Sequence, residues 1–382
     1  MSLSRRKAIG LIGGGVVLAA TSATALAVTR KPRTAALPWA TAGHENEIRR
    51  QALSFALLAP NPHNRQPWVV DLSEPDTVVL YADPDRLLPA TDPFSRQIVI
   101  GLGCFLEVMR MAAAEQGYSV SMDPFPEGET AAALDNRPVA RARFVPAPSA
   151  APDPLFAHVL RRRSLKEPFD TANAIPDDTL PVLKSSIRAG TRFGGSIAPE
   201  DIATLRELSR DALRIEIETP HTYKESVDLF RIGHREVDAN PDGIDFSGPM
   251  FESLRMAGLF TRDAVLDTSS VAYRSGLDAV FANTDTAMGH VWLTSKGNSR
   301  TDQLAAGADW VRLNLAATGL GLGIQPLSQA LQEYPEMKSH YDAIHTRLAP
   351  NGGTVQMFAR IGYGPDVAPS PRWPLDTRIA AS

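Results

Sequence analysis

Residues 103–110, Gly-Cys-Phe-Leu-Glu-Val-Met-Arg, and residues 307–314, Gly-Ala-Asp-Trp-Val-Arg-Leu-Asn, each precede an alanine pair, Ala112–Ala113 and Ala316–Ala317, and then a glycine. Both lie in long stretches of helical periodicity, 96–114 and 302–318, and each is followed by a strand closing its half, near 139–145 and at 355–361. The pattern predicts a degenerate duplication: two helix-plus-strand units in one chain. The Pro/Ala/Ser segment 146–154 is the linker between them. The halves are expected at 45–148 and 154–376. Residues 219–299 break the repeat and carry Phe230, Met250, Phe251, Leu254, Met256, Leu259 and Phe260, too much apolar surface for an open loop; a helical lid is expected there.

Within the first half, Ile48, Ala52, Phe55 and Leu58 recur at helical spacing until Pro60 and Pro62 forbid continuation. Strands are expected at 68–72 and 78–81. In the second half, helices are expected from Pro154 through Arg163 and from Ile175 onward, where Pro176 suits a first turn.

Composition narrows the function. The 382 residues are 43% hydrophobic and 21% charged, which supports a full core. A net charge of -4 argues against nucleic acid as a partner, since counterion release needs clustered cations. The single cysteine, Cys104, rules out an internal disulfide and a thiolate zinc site, and no metal site is expected. His340 and His345 are five apart, off the helical spacing that converges on a metal. Gly319, Gly321 and Gly323 form GxGxG after a helix, not the dinucleotide fingerprint that opens one.

Residues 1–30 read as an address. Arg5, Arg6 and Lys7 precede an uncharged stretch ending in Ala25-Leu26-Ala27, the order of a bacterial export signal. The paired arginines and mildly apolar core resemble a twin-arginine leader, although Ala8 replaces the usual bulky residue. The expected location is the periplasm or cell envelope, reached through the twin-arginine export machinery; an uncleaved leader would instead anchor the chain in the membrane.

The chemistry concentrates in two segments. Ala59-Pro60-Asn61-Pro62-His63-Asn64-Arg65-Gln66-Pro67-Trp68 is a proline-bounded turn with amide side chains, suited to a flat hydrogen-bonding heterocycle, although an ordinary capped loop has the same composition. Arg161-Arg162-Arg163-Ser164-Leu165-Lys166 offers cationic donors and a hydroxyl to a phosphate, although arginine runs also simply solvate surfaces. Further cations follow near the C terminus at Arg360 and Arg372.

Together these segments resemble the nitroreductase-like flavoproteins, specifically the Acg-type branch in which two half-units are fused. The resemblance spans most of residues 45–375, least surely in the insertion. It implies an α+β fold of two fused half-units, each with an antiparallel or mixed sheet flanked by helices, and a helical lid insertion at about 219–299. It implies FMN as cofactor. Asn64, Arg65 and Gln66 would lie along the flavin ring or ribityl chain, Arg162, Ser164 and Lys166 on ribityl and phosphate, and Arg372 on the phosphate. The backbone N–H groups of Ser328 and Gln329 would face the redox edge of the ring. Arg96 and Arg360 are read as structural.

Because the amide loop survives only in the first half and the basic motif only in the second, one complete site is expected, and a pseudo-dimeric monomer becomes possible. The implied activity is reduction of an electron-poor organic acceptor by ping-pong hydride transfer, with NAD(P)H as donor and no catalytic side chain assigned. The alternative is a flavin-sequestering protein with little turnover.

Overall fold

The computed structural model describes residues 31–380 apart from Ala131 and Ala150; the expected export leader, residues 1–30, lies outside the described residues. The first half comprises α1 (Leu37–Thr41), α2 (Ile48–Ala56), β1 (Trp68–Asp71), β2 (Thr77–Ala82), α3 (Arg96–Glu115), β3 (Tyr118–Pro124) and β4 (Ala140–Pro146). The second comprises α4 (Thr179–Ser185), β5 (Arg192–Ser196), β8 (Gly289–Ser295), α11 (Arg300–Gly319), β9 (Gly323–Pro326), α12 (Lys338–Leu348) and β10 (Thr354–Gly362). The fold class is α+β.

The two halves share one wiring. Their sheets run β1-β2-β4-β3 and β5-β8-β10-β9, antiparallel throughout, with the long helix between the second and third strands of each half. Between β1 and β2 lies a short turn. Between β5 and β8 lie α5 (Pro199–Glu218), α6 (Pro220–Asp228), α7 (His234–Ala239), α8 (Pro249–Met256), α9 (Arg262–Leu266), α10 (Val271–Asp285) and a short parallel pair, β6 (Phe230–Ile232) with β7 (Ile244–Phe246). This inserted region has its own small core of Val227, Ile232, Phe246, Leu254, Phe260 and Val265.

Two boundaries differ from expectation. Strand β8 falls inside residues 219–299 yet is central to the second sheet, pairing with β5 and β10, so the stretch outside the sheets ends before Gly289. Residues 154–163 form not a helix but a 3-10 turn, Pro154–His158, which Asp153 caps through the N–H of Leu155; beyond it Leu165 N donates to Ile324 O, drawing the chain out along β9.

At the centre α3 crosses α11, and the paired glycines explain how. A Cβ on Gly103 would stand 2.2 Å from Leu304 O, and one on Gly307 would stand 2.0 Å from Ile100 O. Each glycine thus meets the residue three before the other, the reciprocal contact that two-fold-related helices make. Cys104 Sγ donates to Gly307 O at 3.1 Å from within this seam, and burial pushes its thiol pKa up, which suits a packing role. Helix α3 is long and apolar enough to cross a membrane, but it lies buried in the core. Alongside, Arg312 ties the halves, donating to Glu107 Oε1 (2.9 Å), Asp153 Oδ2 (2.7 Å) and Ser186 O (2.6 Å). After β10 the tail returns to the first half: Arg372 N donates to Ala35 O, and Ala380 N to Val70 O on β1.

Gly103→Ala and Gly307→Ala should each destabilise the protein by about 3 kcal/mol or more, because main-chain carbonyls, not flexible side chains, must yield. Gly276→Ala, in α10 with nothing within 4 Å of the added carbon, should do the opposite, stabilising by about 0.5–1 kcal/mol. Urea unfolding midpoints check both; equal midpoints for Gly307→Ala and wild type would refute the tight crossing.

Candidate functional site

The amide loop is strained. His63, Asn64 and Gln66 have φ of 48°, 52° and 51°, three left-handed non-glycine residues in four positions. Each such residue costs on the order of 1–3 kcal/mol and persists only where its surroundings impose it. Here they do. Gln66 N donates to Asn61 Oδ1 at 2.7 Å, and Gly243 N to Asn64 O at 3.2 Å. The fully buried Gln66 side chain donates to Pro241 O (2.7 Å) and accepts from Trp373 N (2.9 Å). Asn64 Nδ2 donates to Pro371 O (3.0 Å), while its Oδ1 accepts from Arg372. Insertion and C-terminal tail therefore both grip the loop.

Arg65 points elsewhere, donating to Arg86 O (3.2 Å) and Asp85 O (2.6 Å) and facing Asp242 at 3.8 Å. Asp242 also binds Arg86 (2.7 Å) and Arg231 (2.6 Å). Burial alone would raise its pKa; Arg231 and Arg86 outweigh that and hold the carboxyl below the usual aspartate range. It pins the insertion to the amide loop.

Behind the loop the basic segment arrives. Arg162 and Arg372 are 3% and 1% exposed, and both donate to Leu58 O at 3.3 Å; Arg372 also donates to Ala59 O at 3.1 Å. The guanidinium of Arg163 lies 4.6 Å from the centre of the Trp39 ring and that of Arg372 5.5 Å. Burial, with Arg163 beside it, pushes Arg162 down to about 10; burial, with Arg162 and Arg163, pushes Arg372 well below its ordinary value. Arg162 Nη1, Arg163 Nε and Arg372 Nε are buried without a hydrogen-bond partner. Three clustered cations with spare donors are a setting for an anion.

The remaining expected residues fall around this cluster. Ser164 is half-buried; Lys166 is exposed, and its backbone carbonyl accepts from Asn283 at 3.0 Å. Burial first, then Lys166 and Arg65, push the His63 imidazole down to about 4. Ser328 and Gln329 open a 3-10 turn, Gln329–Leu331, after β9, and Gln332 at its end donates to Glu216 Oε2 at 2.9 Å. Arg360, over the Phe169 ring at 3.9 Å, donates to Glu167 O (2.7 Å) and so fixes the basic segment against β10. Arg96 donates to Leu331 O and Gln356 O, a structural role. Two cavities of about 480 and 360 Å³ are lined by other residues, including Arg300 and Gln303 in one and Tyr223 and Tyr273 in the other. Sequence reading missed Trp39, Asn61, Glu216, Ser226 and Asp242. Only Asn61, five residues before Gln66 in the same loop, carried a local signal.

No family model matches the chain. Over 334 residues, 85% of this chain and 89% of the relative, it is 24% identical to a Mycobacterium tuberculosis protein named "Putative NAD(P)H nitroreductase Rv3131". Over 80 residues, 21% of this chain and 24% of the relative, it is 38% identical to "Putative NAD(P)H nitroreductase acg" of the same organism. Among solved structures, a putative nitroreductase from Anabaena variabilis superposes with a TM-score of 0.42 at 12% identity, covering 87% of this chain and 92% of that one. The FMN-dependent nitroreductase NfnB from Mycobacterium smegmatis, in complex with NADPH, gives 0.37 at 16% identity, covering 58% and 95%.

Asp242→Asn should free the insertion from the amide loop, since breaking a buried ion-pair network by removing one partner costs about 3–5 kcal/mol. Hydrogen exchange at residues 64–68 and 241–246 should accelerate while α3 and α11 stay protected. The sign of the pH dependence follows from the depressed carboxyl: its contribution is complete above the ordinary aspartate pKa and is lost as pH falls through the lower folded value. An acid-dependent opening in wild type that persists unchanged in Asp242→Asn would reject this hub.

Proposed function

We propose that the protein is an FMN-dependent oxidoreductase of nitroreductase type. It would reduce an electron-poor organic acceptor by ping-pong hydride transfer, with NAD(P)H as electron donor. One observation carries the reading: the buried Arg162 and Arg372 of the second half bond the Leu58 and Ala59 carbonyls that lead into the amide loop of the first, and together with the half-buried Arg163 they keep unpartnered N–H groups there. A flavin phosphate suits such donors, which bind it by charge-assisted, fork-shaped hydrogen bonds. When bound, the flavin supplies the hydride chemistry. Arg162 and Arg372, with Ser164 and Lys166, would hold its phosphate and ribityl end. Asn64 and Gln66 would shape the wall of the slot, with the Arg65 side chain turned away toward Asp242, and Ser328 and Gln329 would border its reacting edge. The names borne by the mycobacterial relatives support the donor class.

A second reading, flavin sequestration with little turnover, is favoured by how closely the insertion covers the loop: Pro241, Gly243 and Ser226 all bond it. Anaerobic titration separates the two. Bleaching of the flavin bands by NADH or NADPH supports the enzyme; bleaching by dithionite alone supports storage.

Arg162→Ala and Arg372→Ala should each weaken FMN by about 1.5–3 kcal/mol, roughly ten- to a hundredfold in Kd. Flavin absorbance per protein after dialysis measures this, with the exposed Lys224→Ala as control; undiminished flavin in both arginine variants removes the phosphate assignment. Export is a proposal on Arg5 and Arg6 alone. Changing both to lysine should leave folded protein in the cytoplasmic fraction, and unchanged fractionation would discard the twin-arginine route.

A further inference from the structure

Glu216 is a carboxyl group that the flavin reading does not use. It lies on α5, is 7% exposed, and forms the far end of a hydrogen-bonded chain into the amide loop. Ser226 Oγ, on α6, donates to Glu216 Oε1 at 3.3 Å and stands 3.1 Å from His63 Nε2. The other carboxyl oxygen accepts from Gln332 Nε2 at 2.9 Å, and Gln332 closes the Gln329–Leu331 turn. One buried acid, one hydroxyl and one imidazole are thus in line, beginning beside the turn expected at the redox edge and ending in the strained loop.

We propose that Glu216, Ser226 and His63 form a proton relay that supplies the amide loop with the proton a two-electron reduction consumes. This rests on the oxidoreductase reading. An acceptor A that takes up hydride becomes AH2 only with one further proton; the hydride comes from a dihydronicotinamide, which is oxidised to the nicotinamide. In the relay the His63 Nδ1–H bond breaks as its proton passes to the anionic acceptor oxygen. The Ser226 proton forms a bond to His63 Nε2, and the Glu216 proton replaces it on Ser226 Oγ. After product leaves, the carboxylate recovers its proton from water and the imidazole returns to the Nδ1–H tautomer by proton exchange with water. No charge is stranded on the serine.

The relay runs with the Ser226 hydroxyl turned to His63 Nε2 and the protonated Glu216 carboxyl donating to Ser226 Oγ, the reverse of the bond Ser226 makes to the ionised carboxyl. Burial, with Glu225 adding to it, raises the Glu216 pKa even though Gln332, Gln329 and Ser226 pull it down, which favours the acid form. Burial, Lys166 and Arg65 keep the imidazole neutral, and the relay uses the tautomer that carries its proton on Nδ1 and accepts at Nε2. The insertion supplies Ser226 and the helix leading into it supplies Glu216, which gives this region a chemical role beyond cover.

The test uses the flavin-loaded protein and a readout independent of the flavin. Glu216→Gln and Ser226→Ala should retain wild-type flavin content and dithionite reduction, yet their reoxidation by p-nitrobenzoate in stopped flow should slow by about a hundredfold. The solvent deuterium isotope effect on that step should fall in both, and Ser226→Thr should restore it. Independently, nitrogen-15 spectra of His63 should report an unprotonated, hydrogen-bonded Nε2 at neutral pH that shifts in Ser226→Ala. Unchanged reoxidation with flavin retained, or an Nε2 resonance indifferent to Ser226→Ala, overturns the relay. Preparations that hold no flavin would defeat the oxidoreductase reading instead, and the nitrogen-15 measurement would still decide whether the chain exists.

Discussion

The reciprocal contact of Gly103 with Leu304 and Gly307 with Ile100 sets the distance between the two halves, and the rest of the molecule is arranged around it. Two helices approach this closely only where neither carries a side chain at the crossing. Once they do, the sheets are held as a pair and the chain segments preceding and following each helix converge in a fixed way. The basic segment of one half then meets the end of α2 in the other, so Arg162 and Arg372 reach a carbonyl of the opposite half. Chemistry assembled across halves depends on a purely steric condition at their centre.

The shared strand order makes the differences between halves informative. The loop before β1 is met by arginines. The corresponding loop before β5 is met by a carboxylate: Asp309, fully buried, accepts from the N–H groups of Arg188 (2.6 Å), Ala189 (2.7 Å) and Thr191 (3.2 Å) and from the Thr191 hydroxyl (2.6 Å). A loop whose donors are already satisfied by the chain's own acid has little left for an external anion. One half therefore stores its capacity for an anion as unpartnered guanidinium groups, whereas the other has spent it internally. The insertion reinforces the asymmetry, because it occurs only between β5 and β8 and reaches the β1 loop, not the β5 loop.

Much of this was legible in the sequence. The crossing helices, the paired glycines, the strands at β1, β2, β4 and β10, and the amide loop announced themselves through periodicity and proline punctuation, all of which are local. Strand β8 was absorbed into the insertion because Gly289–Ser295 is nearly continuous in its burial and lacks the alternation that marks a half-exposed strand. The expected helix at 154–163 failed because a tertiary bond from Leu165 to Ile324 outweighed a modest local preference. Asp242, Glu216 and Ser226 could not be found at all. Their significance lies in partners more than 100 residues away, Arg86, Gln332 and His63, and nothing in the local pattern distinguishes them from solvated polar residues.

The electrostatics of the cluster also bear on how the site is built. Arg162 and Arg372, both buried, and the half-buried Arg163 have no carboxylate among their hydrogen-bond partners and repel one another, and desolvation adds to the cost, so an anion in place would relieve this region. Any anion that binds only the folded state stabilises it in proportion to its occupancy. Arg372 sits on the tail that returns from β10 to Ala35 and β1, and Trp373 of the same tail holds Gln66. The tail, the arginines and the left-handed loop are therefore linked by the same few bonds, Arg372 to Asn64 and Trp373 to Gln66, so that loss of the tail would release the loop and the cluster together.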